Sequence, residues 1–250
     1  MSFEIMSFCM TLPSDSSQKY FSKNTISHFT TQLPVPVELN GQWEVGLSEM
    51  IYLHTWYNIN QSNNSFGFDL DENVGMRELE TRSIPVGCCE SVIDIIKAMT
   101  LECFKNKITL SYSHVTKKVK VKTKNGASLI FDDNGLTRVL GFKPQVIDGE
   151  WTSPYVADLN SMFSLLYVYT DIVASQIVGD TQAPLLRVVN VTSKDGDMVH
   201  VQYDRPHYLP MVRNSFNTIE VEIRLNSGDF VPFEKSKLIL VLHFRRRQIL

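Results

Sequence analysis

The chain has 250 residues, of which 43% are hydrophobic, 10% aromatic and 20% charged. That supplies a core for one large domain or two small ones, and 12 Gly with 10 Pro excludes a collagen-like or Pro/Gly-rich disordered chain. A formal net charge of −3 argues against a protein whose whole surface grips nucleic acid.

Alternation and β-branched or aromatic enrichment predict strands at 3–12, 27–33 and 42–57. From residue 60 the pattern changes. Residues 77–86 read as a strand, and 91–104 take up a helical period, with Ile93, Ile96, Met99 and Cys103 at spacings of three and four. Ser91 with Asp94 three residues on resembles a capping box. Residues 107–114, 115–123 and 127–131 read as a small antiparallel set, and 136–140 as a second helix ending at Gly141. Strands resume at 163–171, 184–191, 198–203, 216–225 and 237–245. Turn residues separate them, among them Asp195-Gly196, a hairpin signal that needs positive φ.

Three strands, an interruption and five strands predict an all-β fold, an eight-stranded single jelly roll of two packed antiparallel sheets. A small α+β unit is inserted between the third and fourth strands. The predicted division is 1–59 (strands B to D), 60–160 (the insertion) and 161–250 (strands E to I). In that topology the D–E connection belongs to one end of the sandwich, so the insertion decorates an end of the domain.

The search for chemistry is mostly negative. Cys9, Cys88, Cys89 and Cys103 show no C-x-x-C spacing, which predicts free thiols in a reducing compartment. The six histidines, at 28, 54, 114, 200, 207 and 243, form no H-x-H or H-x-x-x-H motif. His54 and His243 fall inside β runs as core-edge residues, whereas His200 and His207 flank a turn. Asp132-Asp133-Asn134-Gly135 resembles half a calcium loop but lacks the terminal Glu, so it reads as a turn before a helix. Asp69, Asp71 and Glu72 read as a charged loop. Without a nucleophile elbow, phosphate loop or clustered ligands, the expectation is no enzyme, no cofactor and no metal. No apolar run is long enough to span a bilayer, and the first residues carry an acid, Glu4, where a signal peptide carries positive charge, so synthesis in the cytosol is expected.

Two basic features stand out. Lys118, Lys120 and Lys122, flanked by Lys117 and Lys124, alternate along a strand and share one face. They read either as a patch for nucleic acid, glycan or an acidic partner, or as lysine protection of an edge strand. Arg245, Arg246 and Arg247 close the last strand, facing either packaged nucleic acid or an acidic neighbour, or else solvent.

Longer stretches carry a family likeness. They include Gly41-Gln-Trp-Glu-Val-Gly-Leu-Ser-Glu, Thr55-Trp-Tyr-Asn-Ile, Leu136-Thr-Arg-Val-Leu-Gly-Phe and Ser164-Leu-Leu-Tyr-Val-Tyr-Thr-Asp-Ile-Val. Phe216-Asn-Thr-Ile-Glu-Val-Glu-Ile-Arg and Val231-Pro-Phe-Glu-Lys-Ser-Lys-Leu-Ile-Leu-Val-Leu-His-Phe-Arg follow in the same order. Together they resemble the minor capsid, or penton, proteins of Polinton/Maverick elements and of related virophage and adintovirus-like viruses.

The resemblance implies a structural virion protein forming homopentamers at icosahedral vertices, beside trimers of a double jelly-roll major capsid protein. It implies an insertion facing outward as a tower for a host receptor or a fibre, and contact with packaged DNA as a minor theme. On this reading Trp151, Tyr155, Trp56 and Tyr57 are aromatic anchors for subunit interfaces, with burial in the sandwich core the alternative for at least one of Trp43 and Trp56, and Arg187 and Arg224 pair with acids across subunits or within one. The alternatives are a jelly-roll binding module of trimeric ligand type and a capsid gene domesticated by a host.

Overall fold

The computed structural model describes residues 6–70, 79–104, 106–133, 135–159 and 163–247. In chain order the elements begin with β1 (Ser7–Pro13), β2 (His28–Glu38) and β3 (Trp43–Leu53). Next come β4 (Ser65–Asp69), β5 (Glu80–Ser83), α1 (Val92–Met99), a 3-10 turn at Glu102–Phe104, β6 (Ile108–Ser113), β7 (Lys118–Thr123) and β8 (Ser128–Phe131). Then follow α2 (Gly135–Val139), β9 (Gln145–Ile147) and β10 (Glu150–Thr152). The last part holds β11 (Leu165–Thr170), β12 (Gln176–Val178), β13 (Thr181–Ala183), β14 (Leu185–Asn190), β15 (Met198–Gln202), β16 (Leu209–Pro210), β17 (Ser215–Arg224) and β18 (Ile239–Arg246). The chain divides into two units, Met1–Trp56 with Phe163–Leu250, and Tyr57–Met162.

The first unit is a jelly roll. One sheet runs β1-β18-β3-β15, with β16 also on β3, and the other runs β14-β11-β17-β2. Apart from β11 and β14, consecutive long strands alternate between the two sheets, which is the double Greek key of this architecture. The Asp195-Gly196 turn is therefore not a hairpin. Gly196 does adopt the positive φ that the sequence predicts, at 82°, but it joins β14 to β15 in the opposite sheet.

Period-2 patterning fills the space between the sheets. Leu240, Leu242 and Phe244 alternate inward on β18, and Ile219, Val221 and Ile223 on β17. On β3 the inward residues are Trp43, Val45 and Leu47, then Met50 and Tyr52, a slip of one position. A β-bulge absorbs it. Val241 pairs with Glu49 and Leu242 with Leu47, leaving Ser48 without a register partner on β18, and the Ser48 carbonyl accepts from the Tyr203 amide at 2.9 Å. Across the sheets the Phe216 and Phe244 rings stack at 6.2 Å.

The second unit has its own core. Its sheets are β10-β7-β6 and β5-β4-β8-β9, and α1 and α2 complete it. The 107–131 region is thus not one antiparallel set: β6 and β7 pair, whereas β8 pairs with β4 and β9. β4 was hidden because its residues 66–69 are an unbroken buried run rather than an alternation. Asp69, read as part of a charged loop, is a strand residue only 5% exposed. Asp71 and Glu72 lie outside the described residues. Phe68 meets Phe104 edge-on at 5.2 Å, and Phe131 stacks on Phe142 at 4.7 Å.

Both predicted caps form. Ser91 and Asp94 make a complete capping box, with the Asp94 carboxylate accepting from the Ser91 amide at 3.0 Å. The helix is shorter than predicted and stops at Met99, because the extended Thr100 turns its hydroxyl back onto the Ile96 carbonyl at 2.7 Å. The 3-10 turn then buries Phe104 and leaves Cys103, predicted on the apolar stripe, exposed. At the end of α2, the Gly141 amide donates to Arg138 and the Phe142 amide to Thr137, a Schellman closure with Gly141 at φ 77°.

Candidate assembly surfaces

In the second unit the lysines of β7 alternate with the inward-facing Val119, Val121 and Thr123. The edge-strand reading does not survive, since β6 and β10 pair along its two sides. The sequence concealed this because β10 is three residues long and follows a glycine turn, too short to show a period. Glu150 on β10 stands opposite Lys122 in the register. Its carboxylate contacts both Lys120 and Lys122, the latter at 2.9 Å. Hydrogen bonds from Lys120 and then Lys122, with their charge, hold the Glu150 carboxyl at about 2. Lys118 Nζ donates to the Pro154 carbonyl at 2.9 Å. Opposite the lysines on β6 are exposed Thr109, Ser111 and Ser113, so this sheet face is wholly polar.

The aromatic candidates separate by burial. Trp151 is 47% exposed, with its indole N–H on the Asp148 carbonyl at 3.0 Å. Tyr155 is 54% exposed, with Lys143 Nζ 5.7 Å from its ring centroid, and the adjacent Val156 is also exposed. Tyr57 is partly exposed. Trp56 is not a surface residue: it is 1% exposed and packs on Tyr52, His54, Phe163 and Phe233 in the first unit. Its neighbour in sequence belongs to the other unit, so two adjacent aromatics have opposite fates.

The arginines of the first unit are also distinct. Arg187 lies 3.8 Å over the Tyr203 ring and lines a cavity of about 480 Å³ with Arg205 and His207, a basic cleft. Arg224 is engaged within the subunit: Nε donates to Glu222 at 2.7 Å, Nη1 donates to the Gly228 carbonyl at 2.6 Å, and the guanidinium covers Phe230. Glu222 raises its already high pKa further. Arg245 is engaged separately from Arg246 and Arg247, which both lie near Gly41. Arg245 donates to Glu44 at 2.5 Å and covers Tyr208, Arg246 lies beside Gly41, and Arg247 lines a cavity of about 330 Å³ with Trp43 and Arg213.

Of the histidines, His54 is buried against Trp56, with ring centroids 3.9 Å apart and Nδ1 2.8 Å from the Ser193 hydroxyl. Burial lowers its pKa, opposed by the charges of Asp195 and Asp197. His243 shares a hydrogen bond with the Tyr208 hydroxyl at 2.8 Å. His200 pairs with Glu49 at 3.0 Å, whereas His207 lines the Arg187 cleft. One cluster escaped the sequence. His28 and Glu222 are register partners on β2 and β17, and Glu220 sits two residues along on the same face. Strand pairing brings together groups 192 positions apart, so only the paired alternation of the two strands signals it.

Among solved structures, the chain is similar to the crystal structure of the mavirus penton protein. The match covers 96% of this chain and 99% of that chain, with a TM-score of 0.54 and 11% sequence identity. The likeness is one of fold. It supplies the same jelly-roll reading that the strand orders give. No protein-family model matches the sequence, and no curated protein matches it. No helix among the described residues is long and apolar enough to cross a membrane.

Proposed function

We propose that the chain is a structural virion protein of penton type, acting at capsid vertices without a catalytic step of its own. The observation that carries this is the shared fold with the mavirus penton protein along nearly the whole of both chains. The finer reading is a homopentamer seated among major capsid protein trimers, in a virion of Polinton/Maverick or virophage-like kind. The insertion is then an outer tower for a receptor or fibre.

A closed fivefold ring is assembled head to tail, so each subunit presents two different flanks. The Arg187, Arg205 and His207 cleft supports one flank that receives carboxylates. Trp151, Tyr155 and Tyr57 are the exposed aromatics suited to anchor contacts made by the second unit. The polar lysine face of β7 suits an anionic partner; the neutralising Glu150 weakens its pull on DNA.

The test is the solution mass of the purified chain by light scattering after size exclusion, followed by class averages of stained particles, alone and with the major capsid protein. Fivefold averages support the vertex role. A trimer in both conditions overturns it in favour of the ligand-type jelly roll, and a monomer that stays single beside the major capsid protein overturns it too.

A further inference from the structure

We propose that His28, Glu220 and Glu222 form a site for a divalent transition-metal cation of the Zn²⁺ class, on the outer face of the β2–β17 pair. The argument begins with placement. Ile219, Val221 and Ile223 of β17 point into the sandwich, so the intervening Glu220 and Glu222 point away from it, and His28 stands directly opposite Glu222. One imidazole and two carboxylate donors come to within 4.8 Å of one another.

The spacing is close to what a metal requires. With ligand bonds near 2.1 Å in tetrahedral geometry, neighbouring donor atoms sit about 3.4 Å apart. His28 Nε2 lies 2.6 Å from Glu220 Oε1 and 3.8 Å from Glu222 Oε1. Opening the first pair and closing the second by under about 1 Å brings both onto that value. Side-chain rotation alone supplies such a shift on an exposed sheet face.

The surroundings orient these donors. The His28 ring stacks on Phe230 at 5.0 Å with 9° between planes. Glu222 gives Oε2 to Arg224 Nε at 2.7 Å, which leaves Oε1 turned to His28. Glu220 is held at its backbone, where its amide donates to Asp171 at 2.9 Å. Water completes the coordination, since all three side chains are partly exposed. Imidazole favours Zn²⁺-class ions over Ca²⁺ or Mg²⁺, which prefer an all-oxygen shell. Bound there, the ion ties β2 to β17 across the sheet.

The test is calorimetric titration of Zn²⁺ into the full chain at neutral pH after alkylation of its cysteines, because Cys9, Cys88, Cys89 and Cys103 form no disulfide and their thiols also take zinc. The expected result is one saturable site per chain whose affinity drops about tenfold or more in His28→Ala and in Glu220→Gln. Circular dichroism confirms that each variant is folded. Co²⁺ gives a second readout, a visible ligand-field band in the alkylated chain that His28→Ala abolishes. Failure to saturate by about 1 mM Zn²⁺, an affinity of only about −4 kcal/mol, overturns the proposal. So does undiminished binding in both folded variants. Neither result depends on whether the chain forms pentamers.

Discussion

In the sandwich, β1 at one end of the chain pairs along its length with β18 at the other, whereas in residues 57–162 every strand pairing among the described residues joins neighbours within that segment. The two units therefore close by different routes. The second can complete its core, from Ile59 to Ile147, from its own residues. The first has no full sheet until its final strand arrives, because β18 sits between β1 and β3. Loop-closure entropy makes such pairing slow, so the insertion is expected to fold first and the sandwich last.

Paired core truncations test that contrast most severely. Trp56→Ala empties a site 1% exposed in the sandwich, and Phe68→Ala one 0% exposed in the insertion; each is expected to cost about 3–5 kcal/mol. Hydrogen exchange should place the loss in residues 1–56 and 163–250 for the first and in 57–162 for the second. Protection lost throughout the molecule in both variants would show one cooperative unit instead of two.

A backbone change sharpens the comparison within the insertion. Gly141→Ala would put a Cβ 2.4 Å from the Tyr155 carbonyl at a φ of 77°. The left-handed backbone alone costs about 1–2 kcal/mol, and the clash adds to it. Urea melts should show the second unit destabilised and the sandwich unchanged. Ser91→Ala removes half of the capping box and should cost about 1 kcal/mol in the same melts.

The smallest effect belongs to the sandwich and to pH. His54 has a folded pKa below its ordinary 6.5. The unfolded chain thus binds the extra proton first, so the sandwich has its full stability above pH 6.5 and loses some as pH falls below it. His54→Gln should flatten the slope of stability between pH 7 and 5 in the first unit only. An unchanged slope would assign it to other groups.

How much of this was legible follows the same divide. The sandwich strands were readable because each has one face in the core and the other outside, and alternation records that directly, as in the Leu240, Leu242 and Phe244 series. The caps at Ser91 and Gly141 were readable because they are local chemistry. β4 and β10 were not, one being buried without a period and the other too short to have one. Without β10, the lysines of β7 look like an edge, and Glu150 gives no hint that it will neutralise two of them.

Sequence alone determined the β class, the inserted unit's position between the third and fourth long strands, and the caps at Ser91 and Gly141, because these follow from residue spacing and local backbone preference. Tertiary structure alone decided three things. It sent Trp56 inward while Tyr57 stayed partly exposed, it laid Arg187 over the Tyr203 ring, and it set His28 against Glu220 and Glu222. Each depends on which strands become neighbours, and strand neighbours in a jelly roll are fixed by sheet topology, which distance along the chain does not reveal.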